Sequence, residues 1–101
     1  MTARIELSRR ARRDLRAFRG TLDVRRILEG LDRLAAGAGN LDVKALQGAV
    51  PWLRLRVGEF RVIYRPLTAE EVQALPGAST AGFLVARVVN RRDLDRAIES
   101  L

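Results

Sequence analysis

The sequence predicts an α+β fold in which two antiparallel helices near the N-terminus pack on a small twisted antiparallel sheet of three to four strands. A short helix is expected after the last strand. Two observations support this prediction: apolar residues recur at helical spacing between residues 8 and 35, and strand-like segments then follow between residues 52 and 89. Strands that cluster in the sequence, apart from the helices, are typical of antiparallel sheets.

The size and composition of the chain limit the kinds of protein it can be. Its 101 residues, 48% of them hydrophobic, suit a single domain spanning residues 1–101. There is neither an apolar run long enough to span a bilayer nor a secretory signal pattern. Cysteine and histidine are both absent, which removes the usual ligands of zinc, copper and haem and fits a reducing compartment. We therefore expect no metal, no cofactor and no membrane contact.

The charge of the chain indicates a negatively charged partner. The formal net charge is +7, and Lys44 is the single lysine among many arginines. Arginine binds phosphate bidentately and stacks on bases, so this balance favours a polyanion or an acidic protein as partner. A GC-rich genome would enrich arginine over lysine in the same way without any functional cause.

The first forty residues predict a short strand and two helices. Residues 3–7 alternate weakly, as a first strand would. Ser8 is a suitable N-cap for a helix that continues to Arg19 and ends at Gly20. Thr21 caps a second helix, which Gly37 ends. The short connection between the two helices predicts an antiparallel pair.

Residues 52–65, WLRLRVGEFRVIYR, predict a β-hairpin. Apolar and basic residues alternate on both sides of Gly58-Glu59, and Gly-X is a preferred pair for a two-residue type II′ turn. This turn places Arg56 opposite Arg61. One face then carries Leu53, Leu55, Val57, Phe60, Val62 and Tyr64, and the other carries Trp52, Arg54, Arg56, Arg61, Ile63 and Arg65.

The segments around the hairpin are less regular. Residues 41–50 are predicted to connect the second helix to the hairpin, and residues 68–81 to form a surface excursion in which residues 69–75 could make a helical turn. Residues 83–89 predict a central strand because they are almost continuously apolar. In an extended chain, the side chains on one side of this strand would be those of Val85, Arg87, Val89 and Arg91. Asp93 is the predicted cap of the final helix.

The arginine-bearing face of the hairpin is the candidate functional site. Like charges directly opposite each other in a sheet are destabilising, so Arg56 opposite Arg61 indicates that a ligand supplies the missing negative charge. The alternative is that these arginines form an ordinary solvated strand face. Trp52 is interpreted either as a packing residue or as a platform for a base. The first helix has a basic outer side that is either solvated or in contact with RNA phosphates, formed by Arg9, Arg10, Arg12 and Arg13.

With these motifs the chain resembles the RelE/ParE superfamily of bacterial toxin–antitoxin toxins over nearly its whole length. The resemblance depends on LRLRVGEFRVIYR at residues 53–65, on VARVVNRRDL at residues 85–94 and, more weakly, on the helical pair. It implies a cytoplasmic toxin that a cognate antitoxin holds inactive. RelE-like members are ribosome-dependent endoribonucleases that cut messenger RNA, whereas ParE-like members inhibit DNA gyrase without being enzymes. A third interpretation is an inactive member of a repressor complex.

The resemblance also implies site residues. It places the candidate catalytic residues at Arg54, Arg56, Arg61 and Arg91. The candidate substrate-binding residues are Trp52, Arg65, Arg87 and Arg92. RNA cleavage without metal uses the substrate's own 2′-hydroxyl, and arginines suit the binding and charge stabilisation of the phosphate. The position at which RelE-like sites carry a tyrosine corresponds to a residue near Asp95 in this sequence. The residue that would act as general base is therefore unassigned.

Overall fold

The computed structural model describes residues 2–77 and 81–101 and confirms the predicted α+β architecture. Two helices cover one face of a five-stranded sheet, and a C-terminal helix packs on the other face. The elements in chain order are β1 (Arg4–Leu7), α1 (Arg9–Ala17), α2 (Leu22–Ala35), β2 (Val43–Ala45), β3 (Leu53–Val57), β4 (Phe60–Pro66), α3 (Ala69–Ala74), β5 (Gly82–Asn90), a 3-10 turn (Arg91–Asp93) and α4 (Leu94–Glu99). Within the described ranges, no helix is both long and apolar enough to cross a bilayer.

Both N-terminal helices begin at their predicted caps. The Ser8 side chain accepts a hydrogen bond from the Ala11 amide at 3.0 Å, and the Thr21 side chain accepts one from the Val24 amide at 3.3 Å. Each bond satisfies one of the amides that a helix leaves unpaired in its first turn. Gly20 follows α1 with a φ of 79°, a conformation that glycine adopts without strain.

The sheet is larger than predicted and is mixed. Its spatial order is β1-β5-β4-β3-β2, with β1 parallel to β5 and the other pairs antiparallel. The strand that the sequence did not predict, β2, lies in the segment predicted to be only a connector. It has three residues, all of them exposed, so it carries no alternation that could have revealed it. The predicted helical turn is α3, which starts with a capping box between Thr68 and Glu71. Residues 78–80 of the predicted excursion lie outside the described residues.

The sheet has an apolar core on each face. The larger core lies under α1 and α2 and is formed by Ala11, Ile27, Leu31, Leu34, Leu55, Phe60, Val62, Tyr64, Val85 and Val88. The smaller core lies under α4 and is formed by Leu46, Ile63, Val89 and Ala97, with Trp52 packed against it. The smaller core therefore covers the arginine-bearing face of the hairpin at Ile63. The part of this face beside Ile63 stays open.

A β-bulge in β5 changes which side chains share a face. Tyr64 pairs with Val85 and Ile63 pairs with Arg87, so Ala86 is an extra residue on the β5 strand. As a result Val85 lies in the larger core and Val89 in the smaller one. The prediction that Val85 and Val89 share one side was wrong because this extra residue shifts the alternation.

Candidate functional site

The register of the β3–β4 hairpin is confirmed at every predicted pair. The pairs are Leu53↔Tyr64, Arg54↔Ile63, Leu55↔Val62, Arg56↔Arg61 and Val57↔Phe60. Gly58 has a φ of 57° and Glu59 has a negative φ, which is the pattern of a type II′ turn. The turn therefore places three arginine side chains on one face of two neighbouring strands: Arg54, Arg56 and Arg61.

Arg61 lies at the centre of a group that we call the arginine cluster, consisting of Arg54, Arg56, Arg61 and Arg91. Its guanidinium donates to the carbonyl oxygens of Gly58 and Phe60, each at 3.0 Å. Burial lowers the pKa of Arg61, and the charges of the other cluster members lower it further, against a smaller opposing effect of Glu59. The arginine pKa starts so far above neutrality that Arg61 remains cationic. The guanidiniums of Arg54, Arg56 and Arg91 therefore all act on that of Arg61.

Asp42 is a counter-charge of the cluster that the sequence did not reveal. Its carboxylate accepts from Arg54 at 2.9 Å and lies 3.9 Å from the Arg56 guanidinium. The hydrogen bond from Arg54 lowers the pKa of Asp42. The carbonyl of Asp42 accepts from the Arg56 amide at 2.9 Å, which fixes this residue next to β3. Only the pairing of β2 with β3, which has no sequence signature, could have located it.

Glu59 is the second counter-charge. Its carboxylate lies 2.8 Å from the Arg91 guanidinium, and its carbonyl accepts from the Arg91 amide, also at 2.8 Å. Both side chains are about two-thirds exposed, at 65% and 64%. Arg91 is thereby held beside the hairpin turn. Two carboxylates face four guanidiniums here, so the cluster keeps a surplus of positive charge.

Arg65 and Trp52, two of the predicted substrate-binding residues, contact each other. The Arg65 guanidinium lies 5.5 Å from the centre of the Trp52 ring and donates to the Glu71 carboxylate at 2.6 and 3.0 Å. The hydrogen bond from Arg65 is the largest cause that lowers the pKa of Glu71 to about 2. Trp52 is half-buried against the smaller core. These contacts favour the packing interpretation of Trp52 over the base platform.

Arg87 and Arg92 lie apart from the arginine cluster. Arg87 pairs with Asp14 of α1 at 2.9 and 3.2 Å, and the same carboxylate accepts from the Val88 amide at 2.8 Å. Asp14 thus covers the edge of β5 beyond the last paired residue of β1, Leu7. Arg92 is 82% exposed and lies 3.9 Å from Asp93. The structure therefore brings together the four predicted catalytic arginines, whereas Arg87 and Arg92 lie apart from them and Trp52 and Arg65 contact each other instead.

A general base has no clear candidate among the described residues. The single tyrosine, Tyr64, is 2% exposed in the larger core, where burial raises its pKa. Asp95 lies exposed on α4. Asp93 makes no capping hydrogen bond, contrary to prediction, because Asn90 accepts from the Arg92 amide and starts the 3-10 turn instead. In the described part of the chain, no three acidic side chains come together as a metal site.

Comparison with known proteins identifies the fold. No protein-family model matches the chain, and no curated protein matches it. A chain of the RelB–RelE antitoxin–toxin complex from Methanococcus jannaschii matches with a TM-score of 0.64 at 17% identity, over 90% of this chain and 95% of that one. A chain of the archaeal RelE–RelB complex from Pyrococcus horikoshii OT3 matches with a TM-score of 0.61 at 23% identity, over 90% and 97%. The chain therefore has a RelE-like α+β fold.

Proposed function

We propose that this chain is the toxin of a toxin–antitoxin pair and that it cleaves messenger RNA on the ribosome. Both similar structures are complexes of RelE with RelB, one of them described as an antitoxin–toxin complex. The observation that carries the proposal is the arginine cluster, in which Arg56 lies directly opposite Arg61. A sheet selected only for stability would not retain that pair, because facing like charges are destabilising.

The RNA supplies its own nucleophile. The 2′-hydroxyl gives its proton to water and attacks the adjacent phosphorus, which forms a 2′,3′-cyclic phosphate, and the bond to the 5′-oxygen of the next nucleotide breaks as that oxygen takes a proton from water. The protein has to orient the phosphate and stabilise the negative charge that develops on its oxygens. Arg61 and Arg91 bind the non-bridging oxygens, and Arg56 stabilises the leaving oxygen. The phosphate replaces Glu59 at Arg91, since that ion pair is exposed and therefore weak.

The proposed protein partner is a cognate antitoxin. The net charge of +7 favours an acidic partner, and electrostatic attraction between oppositely charged proteins accelerates their association. Such a partner would silence the site either by covering the arginine cluster or by supplying carboxylates to it. In the proposed pair, the messenger RNA and the antitoxin therefore compete for binding to the arginine cluster.

A second candidate function is inhibition of DNA gyrase by a toxin that is not an enzyme. The observation in its favour is that the arginine cluster contains no free proton acceptor within the described residues. Tyr64 is buried, and the neighbouring carboxylates of Asp42 and Glu59 are ion-paired. General acid–base help is typically worth about 10²–10⁴-fold in rate. A binding protein would not need it.

Primer extension on a defined message in a purified translation system, with and without ribosomes, separates the two functions. The nuclease proposal predicts cuts within A-site codons that require ribosomes and that disappear in Arg61→Ala. Arg25→Ala, on the exposed side of α2, is the control and should still cut. An intact message with the wild-type protein, together with loss of supercoiling by gyrase, would overturn the nuclease proposal in favour of the second one.

A further inference from the structure

A groove of about 660 Å³ lies between α1, the last residues of β5 and α4. Its lining, as far as the described residues show it, includes no member of the arginine cluster. Pockets for small ligands are typically about 300–1,000 Å³, so the groove has the size to hold one nucleotide. It is thus a second concave surface that the proposed cleavage step does not use.

One wall of the groove is aromatic. The rings of Phe18 and Phe60 meet edge to face with centroids 4.8 Å apart and an interplanar angle of 68°. Phe18 is partly exposed, while Phe60 is buried beneath it. A partly exposed ring supported from below is a surface on which a flat base can pack, since every base has an apolar face.

The rim of the groove carries arginines from three elements. Arg10 of α1 donates to the Ser100 side chain across the groove at 3.2 Å. Among the described residues, neither Arg10 nor Arg96 of α4 forms an ion pair. Arg92 has a single long contact of 3.9 Å to Asp93. Guanidiniums without a close carboxylate are available to a phosphate.

The groove also contains hydrogen-bond acceptors. Asp23 and Asp93 line it, together with Asp14, whose carboxylate is occupied by Arg87. Carboxylates accept hydrogen bonds from ribose hydroxyls and from the amino groups of bases. The groove therefore combines an apolar ring, cations and acceptors, which match the base, the phosphate and the sugar of a nucleotide.

We propose that this groove is a subsite for a nucleoside phosphate, namely the nucleotide that neighbours the cleaved bond in the RNA strand. The link between the two sites is the sequence Arg91-Arg92. Arg91 contacts Glu59 at the arginine cluster, whereas Arg92 lines the groove. Because consecutive Cα atoms lie about 3.8 Å apart, the two side chains can bind successive phosphates of one strand. This proposal of a subsite for the neighbouring nucleotide rests on the proposed function, the cleavage of RNA.

Binding of nucleoside 5′-monophosphates, measured by calorimetry with inorganic phosphate as reference, tests the subsite. At least one monophosphate is expected to bind tenfold or more tightly than phosphate alone. The double variant Arg10→Gln/Arg96→Gln should weaken that binding at least tenfold, and Phe18→Leu should weaken it while keeping an apolar core residue. The control Arg25→Gln removes a charge from the exposed side of α2 outside the groove and should change affinity less than twofold. Equal binding of phosphate and nucleotides, or an equal loss in the control, would overturn the proposal.

A second measurement separates this proposal from that of the cleavage site. Arg61→Ala should abolish RNA cleavage, and the part of monophosphate binding that Arg10→Gln/Arg96→Gln removes should persist in it. If wild-type protein cleaves RNA and the groove variants show unchanged KM and monophosphate affinity, the subsite is refuted while the nuclease function stands. If wild-type protein cleaves no RNA but the groove variants lose monophosphate binding, the groove is a site for free nucleotides and the proposed function fails.

Discussion

Arg56 and Arg61 occupy facing positions on β3 and β4, so two guanidiniums share one cross-strand site. Arg61 is fixed by two backbone carbonyls, whereas Arg56 is more than half exposed and has only a 3.9 Å contact to Asp42. The burial of Arg61 lowers its pKa, and the positive charges near it lower it further. This arrangement is unfavourable in the free protein and favourable once an anion binds.

Replacing Arg56 should make the free protein more stable. Arg56→Gln removes the facing charge, and we expect the free energy of unfolding in urea to rise by about 0.2–1 kcal/mol at low salt. The gain should shrink in 1 M NaCl because salt screens exposed charges. Arg33→Gln, which removes an arginine that donates to Asn40, serves as the control without such a gain. A less stable Arg56→Gln at low salt would show that the pair is not strained.

Removing the counter-charge at Glu59 should strengthen RNA binding. Glu59→Gln frees Arg91, and we expect an RNA with a 2′-deoxy nucleotide at the cleaved bond to bind about three- to tenfold more tightly at low salt. Stability should change by less than about 1 kcal/mol, because the ion pair is exposed. Glu70→Gln on α3 changes the net charge equally and is the control. Equal effects of the two variants would mean that only net charge matters.

Breaking the ion pair between Asp14 and Arg87 should be costly. Asp14→Asn leaves the mostly buried Arg87 without its carboxylate and weakens the acceptor of the Val88 amide. We expect a loss of about 1.5–3 kcal/mol in the free energy of unfolding, measured by urea denaturation. The double variant Asp14→Asn/Arg87→Gln should recover part of that loss, since no unpaired charge then remains. A loss below about 0.5 kcal/mol would contradict the importance of this contact.

The ion pair between Arg65 and Glu71 should make stability depend on acidic pH. The pKa of Glu71 in the folded protein is lowered to about 2, first by the hydrogen bond from Arg65. Its ionised form therefore stabilises the fold fully above the unfolded pKa of about 4.3, and this contribution is lost as the pH falls towards 2. Glu71→Gln keeps a side chain suited to the capping box but cannot ionise.

Thermal denaturation from pH 7 down to pH 2 is the measurement for this pair. The Tm of the wild type should exceed that of Glu71→Gln at pH 7, and the difference should close between about pH 4.5 and pH 2. Arg65→Gln should show the same narrowing of the Tm difference, because the ion pair requires both partners, on top of a constant loss from the missing contact with Trp52. A Tm difference that stays constant across this range would assign the effect of Glu71 to packing instead.

The parts of the fold that the sequence predicts correctly are those decided by neighbouring residues. Ser8 and Thr21 cap helices through amides three residues away, and the type II′ turn at Gly58 sets the whole hairpin register. These choices depend on local geometry, which a single sequence contains. The meeting of Arg54, Arg56 and Arg61 follows directly from that register.

The parts that the sequence could not predict involve residues far apart in the chain. The pairing of β1 with β5 and of β2 with β3 joins short segments that have no distinctive pattern. The bulge at Ala86 reverses the side of the strand on which later residues lie. The ion pair between Asp14 and Arg87 depends on how α1 lies beside the end of β5. Only tertiary packing determines these features.

The position of β5 between β1 and β4 has a consequence for how the chain acquires its fold. The strand pairs with both β1 and β4, yet it follows them in the chain. Until residues 82–90 have been synthesised, β1 has no strand to pair with and the β2–β3–β4 unit exposes an open edge beside Ile63 and Tyr64. Such long-range pairings form slowly, and unpaired edges promote aggregation. The arginine cluster and the groove, which both depend on residues at or beyond Asn90, therefore become complete only in the last stage of folding.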